Sequence, residues 1–139
     1  LPELNLRLRP KILDMKPGTR VVSHSFTMDD WEPDADLSIS EGSAYLWIVP
    51  AKVGGDWTFR AREGSGGSFP VTLQQTYQKL QGSSGGQELK DAKLNGNQIE
   101  FTVTQGGQPM TVKGIVEGER INARVSRGGT TTEFVGTRK

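Results

Sequence analysis

Cysteine is absent from this chain of 139 residues. That excludes disulfides, thiolate metal sites and thiol nucleophiles, and it leaves the redox compartment undecided. Histidine occurs once, at His24, so a metal centre built on several histidines is excluded too. Net charge is nearly absent: 17 Lys and Arg stand against 16 Asp and Glu, a formal +1. No electrostatic footprint for nucleic acid or for an anionic membrane surface is visible, so neither is an expected partner. Long apolar runs are missing as well, and none approaches the roughly 18 residues of a membrane span. No signal-type leader opens the chain, which starts at Leu1 rather than Met. That start leaves a parent protein's compartment unassigned.

Glycine is what the chain has in quantity, 18 residues beside an apolar fraction of only 33%. Both suit a small β protein with many turns, whose strands hide one face each. The runs Ile99-Glu100-Phe101-Thr102-Val103, Thr111-Val112-Lys113-Gly114-Ile115-Val116 and Ile121-Asn122-Ala123-Arg124-Val125 alternate apolar and polar residues. Period-two alternation gives each run one buried and one wet face. Asn95-Gly96-Asn97, Gly106-Gly107, Glu117-Gly118-Glu119 and Gly128-Gly129 punctuate the runs with residues suited to tight hairpin turns. Asp56 to Arg62 opens this pattern, and Phe69 to Leu80 and Glu88 to Leu94 supply further strands, seven to nine in all. Gly64-Ser65-Gly66-Gly67-Ser68 and Gly82-Ser83-Ser84-Gly85-Gly86 read as flexible turns. A barrel of about eight strands has room for side chains or for one small ligand, but not plainly for both.

The first fifty residues differ. Leu1, Leu4, Leu8, Ile12 and Met15 recur at helical spacing, which favours a helix over residues 1–17. The alternation Leu4-Asn5-Leu6-Arg7-Leu8-Arg9 is the competing strand pattern. Pro10 should kink the helix or begin a new one, and Lys16-Pro17-Gly18 should stop it. Thr19 to Phe26 reads as a short strand. Met28 to Glu41, with six acids and Pro33, reads as a solvated loop. Ala44 to Pro50 is the most continuously apolar stretch and reads as a strand covered on both faces. The expected fold is therefore mainly β. A short N-terminal helical segment and two strands, residues 1–53, precede an antiparallel up-and-down meander or small barrel, residues 54–139.

Candidate chemistry is sparse. His24 sits on the strand pattern Val22-x-His24-x-Phe26 and reads as a polar strand residue rather than an acid or base. Ser23 and Ser25 point away from it, because adjacent strand residues face opposite sides. Asp29, Asp30, Glu32, Asp34 and Asp36 read as a solvated acidic loop with no metal. Trp47 reads as core. Trp31, in the acidic loop, is a possible exposed contact or is docked on its own domain. Lys113, Glu117, Glu119, Arg120, Arg124 and Arg127 read as an ordinary solvated β surface of mixed sign.

Leu1-Pro2-Glu3-Leu4-Asn5, Leu8-Arg9-Pro10-Lys11-Ile12-Leu13, Lys16-Pro17-Gly18-Thr19-Arg20-Val21-Val22-Ser23-His24-Ser25-Phe26, Asp30-Trp31-Glu32-Pro33 and Tyr45-Leu46-Trp47-Ile48-Val49-Pro50-Ala51 follow one another in order. This series closely resembles a group of bacterial class I S-adenosylmethionine-dependent methyltransferases, and more distantly a class of protein-lysine methyltransferases. The resemblance implies the tail of a doubly wound catalytic domain. The cofactor half of that domain, with its Gly-rich turn and acidic ribose ligand, corresponds to nothing in these residues. It also implies that Pro2, Glu3 and Asn5 face substrate or cofactor in a complete enzyme. S-adenosylmethionine is then the cofactor of the complete enzyme, and none is expected on this chain alone. The implied partners are the missing catalytic half or a second copy of the chain, and a protein or small-molecule methyl acceptor. The location stays open between cytoplasm and periplasm. Residues 55–139 resemble small calycin-like β domains through Gly55-x-Trp57, Gln74-x-x-Tyr77-x-x-Leu80-x-Gly82, Leu94-x-Gly96-x-x-Ile99-x-Phe101 and Phe134-x-Gly136-x-Arg138. That resemblance implies Trp57 packed under Arg138 as a plug at one end of a barrel. It also keeps open a different reading, a stand-alone module binding a small apolar molecule.

Overall fold

The computed structural model describes residues 2–24, 26–39, 42–64 and 66–139, and among them the side chains of 2–5, 38 and 39 are not described. Chain contacts divide the protein into two compact units, Leu1–Pro50 and Ala51–Lys139.

In the first unit, helix α1 spans Pro2–Leu13 and runs through Pro10 without interruption. Pro10 removes one amide donor, but it and Leu6 are both exposed, so water can serve the carbonyl left behind. A final turn from the Asp14 amide to the Pro10 carbonyl (3.2 Å) and from Met15 to Ile12 (3.0 Å) closes the helix. Leu8 and Met15 of the apolar stripe stay exposed, as does Leu6 beside it. Strands β1 (Arg20–His24), β2 (Ala35–Ile39) and β3 (Gly42–Ile48) form an antiparallel sheet in the order β1-β3-β2.

The strand at Ala35–Ile39 corrects the loop expected over Met28 to Glu41. Ala35, Leu37 and Ile39 alternate with Asp36 and Ser38, and they pair with β3 in the register Ala35↔Leu46 to Ile39↔Gly42. The acids around them mask that period. β3 is central, but Tyr45, Leu46 and Ile48 are only half-buried, so its two faces are not both fully covered. Val22 is 62% exposed and Leu37 41%, which marks the open side of the sheet.

The second unit is one antiparallel sheet of nine strands. They are β4 (Gly55–Ala61), β5 (Ser68–Thr76), β6 (Lys79–Ser84), β7 (Gln87–Glu88), β8 (Lys90–Asn95), β9 (Gln98–Gln105), β10 (Gln108–Glu117), β11 (Arg120–Arg127) and β12 (Thr130–Arg138). Their order is β7-β6-β5-β4-β12-β11-β10-β9-β8. The two ends of this order are consecutive in the chain, and β6 lies against β8, so the sheet curls into a nearly closed barrel. The run Glu88 to Leu94 is broken at Leu89, and the β8–β9 register slips between Lys90 and Lys93 around Asp91, whose φ is 52°. Gly82 to Ser84 is strand rather than flexible turn. A Cβ at Gly82 would lie 2.1 Å from the Thr72 carbonyl oxygen, so only glycine lets β5 and β6 approach this closely.

Inward rows fill the barrel. Phe59 stacks on Phe69 at 5.3 Å between centroids, meets Phe101 edge-on at 5.9 Å, and Phe69 meets Phe134 at 5.4 Å. Val71, Leu73, Ile99, Val103, Val112 and Ile121 complete a continuous core. The interior therefore holds side chains, as small barrels of this strand number commonly do.

Candidate functional site

One end of the barrel carries the start of β4 and the end of β12. There Trp57 pairs with Arg138 in the β4–β12 register. The indole is 1% exposed and its Nε1 donates to the Val53 carbonyl at 2.9 Å. The Arg138 guanidinium lies 4.7 Å from the ring centroid. It donates to the Gly54 carbonyl at 2.6 Å and the Lys52 carbonyl at 2.5 Å. Its Nε stands 2.6 Å from Glu119 Oε2, an ion-pair contact whose geometry is not that of an aligned hydrogen bond. Gln75 completes this end. Its Oε1 accepts from the Val53 amide at 2.7 Å, and its Nε2 donates to the carbonyls of Ala51 and Tyr77 at 2.8 Å each. The planar fork of Arg and the amide of Gln are suited to binding irregular backbone that no ladder satisfies. This end is closed by covalent chain and side chains together.

The opposite end is open. It is ringed by the Gln105–Gln108 and Arg127–Thr130 turns and by the start of β5. A hollow of about 320 Å³ lies there, its floor made by Phe69, Met110, Val125 and Phe134. Thr130 and Thr132 stand at the rim with Gln105 and Arg127. Arg127 Nη2 donates to Gln105 Oε1 at 2.9 Å and to the Met110 sulfur at 3.2 Å. A second, shallower feature of about 520 Å³ lies on the outer face of β8 to β11, around half-exposed Ile115 and the mixed charges of Lys93, Glu100, Lys113 and Arg124. Lys113 and Glu100 form a solvent-facing pair at 3.5 Å, of the kind that contributes little.

In the first unit, Trp31 is 0% exposed. It packs at 6.3 Å on Trp47, whose Nε1 donates to the Trp31 carbonyl at 2.9 Å. Of the two alternatives for Trp31, docking on its own unit is the one observed, and no exposed contact remains. Two of the acids around it serve local structure. Asp30 binds Arg9 at 2.6 Å, and Asp34 Oδ2 accepts from the Ile48 amide at 2.6 Å. His24 is exposed on β1 opposite Ala44, and the Ser23 hydroxyl donates to the Phe26 carbonyl. No cluster of three or more His, Asp or Glu suited to a metal occurs among the described residues. Pro2, Glu3 and Asn5 belong to the first turns of α1, and their side chains lie outside the described ones. The structure thus brings Trp57 and Arg138 together.

No family model matches the chain, and no solved structure matches it. A stretch of 54 residues is 37% identical to a protein-lysine N-methyltransferase of Saccharolobus islandicus (strain REY15A). Part of the chain is similar to a methyltransferase. The match covers 35% of this chain and 34% of that protein, so the chain spans about a third of the relative it matches.

Arg127, Gln105 and Gln75 escaped the sequence reading. Arg127 is exposed, as the surface assignment expected, but it also continues the row Ile121, Ala123, Val125 and lines the rim of the open end. Gln105 continues Ile99, Phe101, Val103 in the same way, and Gln75 continues Phe69, Val71, Leu73. The strict parity of a strand was the available signal.

Proposed function

We propose that this chain is the C-terminal part of a class I S-adenosylmethionine-dependent methyltransferase of the bacterial group. Residues of the first unit finish the catalytic sheet, and the barrel is an appended calycin-like domain that orients a substrate or partner. The observation that carries this reading is the partial identity to a protein-lysine N-methyltransferase, taken with the ordered motifs from Leu1 to Ala51. The open side of the three-stranded sheet agrees with it, since an edge strand with exposed Val22 is suited to pairing and packing with further structure.

The described residues do not fit the cofactor by themselves. Their helix α1 precedes every strand, so no strand leads through a Gly-rich turn into a helix N-terminus. No step of methyl transfer is therefore derived on these residues. The reaction assigned to the complete enzyme moves a methyl group from the sulfonium of S-adenosylmethionine to a nucleophilic acceptor, with a protein lysine as the acceptor suggested by the relative.

The open end of the barrel favours a second reading, a module that binds a small molecule independently of methyl transfer. Calorimetric titration separates the two. S-adenosylmethionine should give no binding heat with these 139 residues and micromolar binding with the product of the whole gene. Micromolar binding to the 139 residues alone would sink the fragment reading. A whole gene product that starts immediately before Leu1 would favour the module.

A further inference from the structure

The open end of the barrel has a chemical character that neither reading assigns. Its floor is apolar and buried: Phe69, Met110, Val125 and Phe134 are each 5% exposed or less. Its only described charged group is Arg127, and no carboxylate lines the hollow among the described residues. The guanidinium is held over the floor by two neutral acceptors, the Gln105 amide oxygen and the Met110 thioether. A thioether is a weak acceptor. Arg127 therefore stands, exposed to solvent, at an apolar mouth, and no carboxylate among the described residues lining the hollow pairs with it. Elsewhere on the same barrel, Arg138 does have its carboxylate, Glu119.

We infer that this mouth binds a compact amphipathic carboxylate, its ring or branched chain on the phenylalanine floor and its carboxylate on Arg127. Size sets the class. About 320 Å³ corresponds to roughly ten water volumes, at the lower end of typical small-molecule sites. A single ring with a short acidic arm fits that space, whereas a long acyl chain would need the interior, which the four phenylalanines occupy. Charge sets the polarity. A carboxylate can replace the thioether as acceptor and take two parallel N–H donors from the guanidinium, which is the stronger arrangement. The barrel supplies every group involved, so the inference is independent of the methyltransferase relation.

The test is a titration of the 139-residue chain by two-dimensional amide NMR with three matched probes: 3-phenylpropionate, 3-phenylpropanol and 3-phenylpropylamine. The acid should shift amides around Phe69, Met110, Val125 and Arg127. It should bind about tenfold or more tightly than the alcohol, the ratio expected of one charge-assisted pair, and the amine should bind most weakly. Arg127→Gln should bring acid and alcohol to equal affinity, while Arg124→Gln on the outer face should leave the wild-type order intact. Equal binding of acid and alcohol to the wild-type chain would overturn the inference without any variant. So would shifts confined to the outer face near Ile115, or no shift at the mouth up to the solubility limit of the acid.

Discussion

Replacing Trp57 by alanine tests how the barrel is closed. The indole is 1% exposed, so truncation removes nearly all its apolar contact and leaves a cavity beneath Arg138. Buried aromatic-to-alanine changes cost about 3–5 kcal/mol. That range includes the lost donor to the Val53 carbonyl, a hydrogen bond contributing about 1 kcal/mol net. Trp57→Phe keeps a ring in the plug but removes the N–H and part of the indole's bulk, so a cost of about 1–3 kcal/mol, below that of alanine, is expected. Urea unfolding followed by far-ultraviolet circular dichroism measures both variants, since most of the described structure is strand. For a domain of 60–100 residues, about 3 kcal/mol lowers the melting temperature by at least about 12 °C. A Trp57→Ala cost under about 1 kcal/mol would refute the plug, because that is the range of surface substitutions.

Gly136→Ala should destabilise the barrel by about 1–3 kcal/mol through overpacking: the new Cβ would lie 2.7 Å from Phe59 Cε2, and that ring is 0% exposed and stacked on Phe69. An unchanged urea midpoint would show that the ring has room to move. Gln75→Ala should cost about 2–4 kcal/mol, since three backbone groups lose a partner at about 0.5–1.5 kcal/mol each. The Val53 amide should then exchange hydrogen faster than in the parent, and unchanged protection there would contradict the role given to Gln75.

The strand rows of residues 99–125 were legible because their alternation is strict and their turns carry glycine. The helix was legible from spacing alone, since Leu4, Leu8 and Ile12 fit one face. Strand β2 was not, because a period over five residues carries little weight beside Asp34, Asp36 and Pro33. Gly82 was misread because a glycine needed for close backbone approach looks, in sequence, like one needed for a turn. The Trp57 and Arg138 pairing was suggested by motif and not by composition, as the two residues are 81 positions apart (138 − 57) and meet only through the β4–β12 register. The open end was hidden for a related reason. Its floor comes from four strands, β5, β10, β11 and β12, and its charge from an exposed residue, Arg127, that continues an inward-facing row at the end of β11.

The most direct measurement of the central claim is transfer of labelled methyl from S-adenosylmethionine to protein, with the whole gene product and with these 139 residues assayed side by side. The account predicts incorporation by the whole product and none by the 139 residues. Incorporation by the 139 residues alone, or a whole product that neither binds nor turns over S-adenosylmethionine, would contradict it.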